Sequence, residues 1–385
     1  MKITNLKPII VNVGNLNWVF VKMETDTPGL HGWGEVTLEW KPRTVAGAVE
    51  DLFPMIRGRD PRRPEFIWQI MYRQAFYRGG IAIMSAMSGI EQACWDILGK
   101  SLGIPVYQLL GGAVRDKVRV YGHIAPTIRP EKRKRKLTLA EAAKASLVDG
   151  ITALKLNPLP YLRPVEGGAA VKKVRETMSR VRRAVGDGVD LMVDFHGRPN
   201  PANGLVFGKA LEEFGLLFLE EPCLPHPASG LAKVARQVNI PIATGERLVT
   251  RNEFLPLFEA RACEVVQPDP SHCGGIGEVR KIAALAEAYQ CSIAPHNPLG
   301  PINTQVCFHL DMVMPNFLIQ EVLQRHVPWR DEIAGPPMKI VDGHVHPSDR
   351  PGLGVEVNEK ACAKHPYQES KYMQFFHPDG SIADW

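Results

Sequence analysis

Six polar residues recur at the ends of apolar runs, and their spacing constrains the fold more than any other feature of the chain. LMVDFHG carries Asp194 and His196, LFLEE carries Glu220 and Glu221, and IPIATGE carries Glu246. EVVQPD, CSIAPH and FLIQE then supply Asp269, His296 and Glu321. Positions 194, 220, 246, 269, 296 and 321 are separated by steps of 26, 26, 23, 27 and 25. Between them lie amphipathic segments such as NEFLPLFEAR and GIGEVRKIAALAEAY. A short buried strand, a loop and a helix fill that length, so the period predicts βα units closed into a parallel barrel. Catalytic groups of such barrels stand at the C-terminal strand ends, where all six fall. Within LMVDFHG, strand alternation puts Asp194 and His196 on one face. That pair alone could equally be a helix-capping Asp beside a surface His, but a phase kept over six strands is not explained that way.

A chain of 385 residues is long enough for a barrel and a second, smaller domain. Its 45% apolar and 23% charged residues are ordinary for a globular enzyme. A net charge of +5 gives no reason to invoke nucleic acid or a membrane as partner. The one basic run, Lys132 to Lys136, follows a Pro and reads as a solvated loop before a helix opening at Thr138. Seven cysteines without pairing distances, including Cys94 and Cys307 in helical patterns, suit a reducing compartment. With no signal-like start and no apolar run of spanning length, a cytoplasmic location is expected.

The first 117 residues lack the barrel rhythm. NWVFVKMETD and HGWGEVTLEW read as antiparallel strands joined at Thr27 to Leu30. Helical patterns follow, the longest ending at Gly103 with Pro105 just beyond. The expectation is an α+β capping domain over residues 1–117, completed by about 350–385, and a barrel over 118–349. VRVYGHI, ITALKLN and LMVDFHG are its first three strands, with AAVKKVRETMSRVRRAVG as the helix before the third. Arg198 to Gly204, rich in Pro and Asn, is expected as a surface loop at the mouth.

Asp194, Glu220 and Glu246 have no Lys beside them in sequence, and three converging carboxylates repel unless a cation sits among them. All-oxygen ligation suits Mg²⁺; the alternative is that the side chains diverge and cap helices. Asp269 and His296 end adjacent strands, where the Asp would fix the imidazole tautomer and raise its basicity. Glu321 would complete the ring. A metal beside two histidines suits removal of a proton next to a carboxylate, the cation stabilising the enediolate. No phosphate loop, dinucleotide fingerprint or catalytic Ser motif competes, and Gly274 to Gly277 only opens a helix.

GWGE, SGIEQACWDILGK, GIPVYQLLGG and PGLGVE, together with these strand-end residues, resemble the mandelate racemase-like branch of the enolase superfamily. Within it, DFHGR, LEEP, TGER, QPDPSHCGG, APHNPLGP and SIADW are most similar to the D-galactonate dehydratases. The resemblance implies a modified (β/α)7β barrel under an N-terminal α+β cap, and a homo-oligomer. It implies Asp194, Glu220 and Glu246 as Mg²⁺ ligands and His296, backed by Asp269, as the base at C2. His196 would be the acid at the departing 3-hydroxyl, Glu321 a stabiliser, and an acid sugar such as D-galactonate the small-molecule substrate. Racemases of the branch carry Lys-x-Lys on the second barrel strand; here it is Lys155-Leu156-Asn157, which favours elimination. Substrate contacts are expected from Lys155, Asn157 and the cap loops Val13 to Trp18 (Asn17 and Trp18) and Leu38 to Arg43. The first loop lacks the arginine associated with galactonate dehydratases. A sugar-acid racemase or cycloisomerase, or a silent binder, remains open.

Overall fold

The computed structural model describes residues 1–124, 137–159, 161–323, 327–370 and 374–384. The basic run Lys132 to Lys136 lies outside them. The chain opens with an antiparallel sheet of β1 (Ile3–Asn12), β2 (Asn17–Thr25) and β3 (His31–Glu35). β1 is absent from the sequence reading because its apolar residues do not alternate cleanly. The strand expected through Trp40 stops at Glu35. Val36 N–H still donates to the Val19 carbonyl at 2.9 Å, but Val19 N–H goes to the Thr37 hydroxyl at 3.0 Å, so a side chain replaces the return bond of that rung.

Three helices follow: α1 (Pro42–Ile56), α2 (Pro64–Arg73) and α3 (Ile81–Leu102), the last closed by Gly103 at φ 73°. α3 lies directly on β3 because glycines meet there. A Cβ on Gly34 would sit 1.8 Å from the Gly89 carbonyl oxygen, so no larger residue fits. A short α4 (Val106–Leu109) leads to the barrel.

The barrel strands are β4 (Val118–His123), β5 (Ala153–Leu156), β6 (Asp190–Asp194) and β7 (Leu216–Glu220). β8 (Ile242–Thr244), β9 (Val265–Val266), β10 (Ser292–Ile293) and β11 (Gln320–Glu321) complete it. All are parallel and neighbours in chain order, with β11 returning beside β4. An Ile293–Phe317 bridge closes the ring between β10 and β11. Their connections hold α5 (Leu139–Ser146), α6 (Gly168–Val185), α7 (Pro201–Leu211) and α8 (Ala228–Ala235). Then come α9 (Thr250–Ala260), α10 (Ile276–Ala288) and α11 (Pro301–Asp311). After β11 the chain leaves the rhythm for β12 (Ala334–Gly335), β13 (His344–Val345) and β14 (Glu356–Val357). β13 pairs antiparallel with the start of β4. This is the (β/α)7β variant under an α+β cap.

Alternation along the strands divides the core in two. Val120, Leu154, Leu191, Leu219, Ile242, Val266 and Ile293 belong to the cluster shared with the barrel helices. Tyr121, Ala153, Met192, Phe218, Ala243, Val265, Ala294 and Ile319 form a separate cluster, one residue from each strand or its extension. That second set is the barrel interior, and it sets the phase of the site above it.

Two buried glutamates tie the cap to the barrel helices. Glu91 on α3 accepts Ile276 N–H at 2.9 Å and Gly277 N–H at 2.8 Å, at the start of α10. Glu35 does the same for α11, through Gly300 N–H at 2.7 Å and Asn303 N–H at 2.9 Å. The C-terminal segment also packs on the cap: Glu359 pairs with Lys7 and Lys22, each at 2.6 Å. All seven cysteines are buried and unbridged. Among the described residues no helix is long and apolar enough to cross a membrane.

Burial pushes Glu35 and Glu91 up from 4.5 to about 7, against the N–H groups that favour their charge. The folded state therefore binds their protons more tightly than the unfolded chain. Stability falls as pH rises between the two values and is level above, by up to about 3 kcal/mol per group. Glu91→Gln should flatten the fall in melting temperature between pH 5 and pH 8. A variant with the parent slope would show that this burial does not load the fold.

Candidate active site

Two residues beyond the apolar ring, on the same strand faces, every side chain but one is polar. His123, Lys155, Asp194, Glu220, Gln267, His296 and Glu321 occupy seven of these places. The eighth is Gly245, at φ 139°, where a Cβ would press within 2.9 Å of Gln267 N, and Glu246 follows it. One layer of side chains thus turns the barrel from oil to charge.

Asp194 and Glu220 are register partners across β6 and β7. Together with Glu246 they present one oxygen each, all within 4.8 Å of one another. They do not diverge to cap helices. Lys155 stands among them, its Nζ 2.8 Å from Glu220, 3.2 Å from Glu321 and 3.8 Å from Asp194. No lysine lies beside the trio in sequence, and β5 brings this one from a distant part of the chain. One ammonium does not balance the set. Burial and then Asp194 raise Glu220, while burial, Glu221 and Asp194 hold Glu246 well above the carboxylate range despite His296. Burial alone would lower Lys155, yet Glu220 and Glu321 keep it well above its ordinary value.

Asp269 accepts His296 Nδ1–H at 2.8 Å, Ser271 N–H at 2.7 Å and the Asn303 amide at 3.3 Å. His296 Nε2 then faces the trio, 3.3 Å from Glu246 and 4.0 Å from Glu321. Burial would lower this imidazole, but Glu246, Glu321 and Asp269 raise it well above its usual value. Glu321 goes the other way: despite burial, Lys155, His296 and His123 hold it well below.

His196 joins the trio by a turn, not by strand alternation. β6 ends at Asp194, whose Oδ1 accepts His196 N–H at 2.7 Å, and His196 itself takes φ 50°. Its Nε2 lies 3.0 Å from Asp194 Oδ2. Burial, then Arg198 and Lys155, push it down to about 3. Arg247 donates to the His196 carbonyl at 3.1 Å and to Glu221 at 2.8 Å.

Two residues of this layer were missed in the sequence. His123 bonds Glu321 through Nε2, and it ends the first barrel strand in VRVYGHI, the same positional signal as the others. Gln267, buried just past β9 and two residues before Asp269, carries no charge that would mark it in the sequence.

The expected substrate contacts separate. Asn17 and Trp18 are 3% and 1% exposed. Asn17 donates to the Gln368 carbonyl at 2.9 Å and to Ser370 at 3.1 Å, which anchors the C-terminal segment, and among the described residues it has no bond to the ring. Trp18 is core of the cap–barrel seam. The second loop does reach the mouth. Glu39 stands 3.8 Å from His272 Nε2, the nitrogen that lies 3.8 Å from Asp269. Asn157 closes a turn by accepting Leu159 N–H at 3.1 Å. The expected surface loop Arg198 to Gly204 is half helix. Asn200 caps α7, accepting Asn203 N–H at 2.9 Å, with Pro201 in its first turn, and Arg198 and Asn203 are each 6% exposed.

Residues 2–111 match the family model described as mandelate racemase / muconate lactonizing enzyme, N-terminal domain. Residues 138–361 match that described as enolase C-terminal domain-like. The chain is 39% identical over 381 residues to a D-galactonate dehydratase of Pectobacterium atrosepticum, covering 96% of each. It is 40% identical over 393 residues to that of Verminephrobacter eiseniae, covering all of both. Among solved structures, an enolase superfamily member from Salmonella Typhimurium superposes with a TM-score of 0.89 at 32% identity, covering 95% of this chain and 98% of that one. A candidate galactarate dehydratase from Agrobacterium radiobacter, solved with Na and L-malate, gives 0.90 at 32% identity over the full length of both. The chain belongs to the mandelate racemase / muconate lactonizing enzyme family of the enolase superfamily.

Proposed function

We propose that this chain is a Mg²⁺-dependent dehydratase of an aldonate, D-galactonate being the favoured substrate, and that the product is a 2-keto-3-deoxy sugar acid. The activity is that of a carbon–oxygen lyase, as the names of its full-length relatives state for themselves. The observation that carries the reading is one carboxylate trio, Asp194 and Glu220 buried and Glu246 partly so, with an imidazole beside each of two members, Asp194 and Glu246.

The trio suits a hard divalent cation. Its donors are all oxygen, Glu220 Oε1 is buried with no hydrogen-bond partner among the described residues, and the one ammonium of Lys155 is shared by Asp194, Glu220 and Glu321. Asp194, Glu220 and Glu246 would hold the ion, which when bound supplies positive charge against the negative charge developing on the substrate carboxylate. Asp269 holds Nδ1 of His296, which leaves Nε2 to take the C2 proton. His196 delivers a proton from Nε2 to the 3-hydroxyl as the C3–O bond breaks, so the hydroxyl leaves as water and the enol becomes the 2-keto acid. Glu321, held between Lys155 and Asn297 N–H, presents an acceptor to the substrate. Asn157, the residue after β5, stands where a second lysine base would, which disfavours racemisation.

A panel of stereoisomeric aldonates and aldarates with Mg²⁺, scored for 2-keto acid, tests the reading. Deuterium gain at C2 without keto acid would make the protein a racemase or epimerase instead. No reaction on any member would leave a binder. The loop geometry adds a specificity result. Glu39→Gln should change the ranking of acids in kcat/KM by at least roughly tenfold, because the acceptor at the mouth loses its charge while keeping its shape. Asn17→Ala should lower the melting temperature and leave the ranking alone; a changed ranking would return the first loop to the substrate.

A further inference from the structure

We propose that Glu35, a residue of the cap, is a positioning residue for the Asp269–His296 pair and acts on it through Asn303. The inference rests on the reading of that pair as the base.

α11 begins with no capping side chain of its own, because its N-cap is Gly300. Its first N–H groups need an acceptor from elsewhere. Glu35 supplies both oxygens: Oε1 takes Gly300 N–H at 2.7 Å and Oε2 takes Asn303 N–H at 2.9 Å. Thr37 donates to Oε1 at 2.7 Å. The fit is close, since a Cβ on Gly300 would lie 2.5 Å from Glu35 Oε1. A glycine and a distant glutamate thus replace a local cap.

The residue gripped by Glu35 is the one that touches the base. An Asn side chain has two N–H donors. Asn303 gives one to Asp269 Oδ1 at 3.3 Å and one to Asn297 Oδ1 at 3.1 Å. Asn297 passes the order on, its N–H donating to Glu321 at 2.7 Å. Each amide hydrogen of Asn303 is therefore committed, and its backbone is pinned by the cap. If Glu35 loosens, the first turn of α11 shifts and Asp269 loses a donor that sets its rotation. Asp269 in turn aims His296. Glu91 is the internal comparison: it caps α10 with the same chemistry, and its described hydrogen bonds go only to Trp95, Ile276 and Gly277.

Two readouts on the full-length protein test this. The first is the low-field Nδ1–H proton signal of His296, assigned by its loss in His296→Asn, which needs no turnover. Glu35→Gln and Asn303→Ala should each shift or broaden it, and Glu91→Gln should not. The second is C2 deuterium exchange on the acid the protein uses best. Glu35→Gln and Asn303→Ala should each lower its kcat roughly tenfold or more, as small misplacements of a base do. KM and Mg²⁺ affinity should hold, and the double variant should be no slower than the worse single. Asn303→Ala keeps the main-chain bond to Glu35, so it remains informative if Glu35→Gln folds poorly. A parent-like His296 signal in Asn303→Ala overturns the proposal, as does an equal effect of Glu91→Gln or multiplied losses in the double variant. The expected signal changes in the variants, together with no exchange on any acid by the parent, would fail the functional reading alone.

Discussion

Glu246→Gln is expected to lose turnover by about three orders of magnitude or more while keeping its fold. The effect follows from the trio's charge. Three carboxylates offer oxygens within 4.8 Å of one another, Lys155 pairs with only two of them, Asp194 and Glu220, among the described residues, and burial plus mutual repulsion raises Glu220 and Glu246. With Glu246 as a Mg²⁺ ligand, as proposed, its loss would remove several kcal/mol of charge stabilisation from the transition state, and each 1.4 kcal/mol is tenfold. The same repulsion gives a second signature without catalysis. In chelator the parent should melt lower than with Mg²⁺, and Glu246→Gln should narrow that gap, since one buried charge is gone. Turnover that survives chelation, with no Mg²⁺ effect on melting, would remove the metal from this site.

His296→Asn should lose both C2 exchange and elimination, by a factor on the order of 10² to 10⁴ as expected for removal of a general base. His196→Asn should lose elimination of hydroxide yet keep exchange, and should still expel a better leaving group. The prediction comes from geometry: Asp269 fixes His296 Nδ1 at 2.8 Å and leaves Nε2 turned to the trio. If His196→Asn alone abolishes exchange, the roles are reversed. Burial, then Arg198 and Lys155, push His196 down to about 3, while Glu246, Glu321 and Asp269 raise His296 against its burial. The raise on His296 depends on its acidic neighbours, so the exchange experiment, which reads the reacting complex, separates the two.

The period of strand-end residues is legible in the sequence because it is local. Each unit repeats a short apolar run, a polar tip and an amphipathic helix, and each piece carries its own signal over a few residues. Helix ends read equally well. Thr138 and Glu141 form a capping box, and Gly103 and Gly186 end α3 and α6 with positive φ. Pro201 misled for the same reason: in a run of Pro and Asn it reads as loop, whereas Asn200 before it makes it a helix start.

Those same local signals say which residues carry charge at the barrel mouth, and nothing about how the charges are shared. Lys155 lies far in sequence from Glu220 and Glu321, and the closing of the sheet, with β5 beside β6 and β11 beside β4, places it between them. His123 meets Glu321 for that reason too. The cap contacts are less local still. Glu35 sits in GWGE with nothing nearby to suggest that it caps α11, and Asn17 sits in a hairpin with no sign that the C-terminal segment will bury it. A strand's alternation fixes which side chains enter the barrel; the partners they find there depend on register and on domain docking, which join segments hundreds of residues apart.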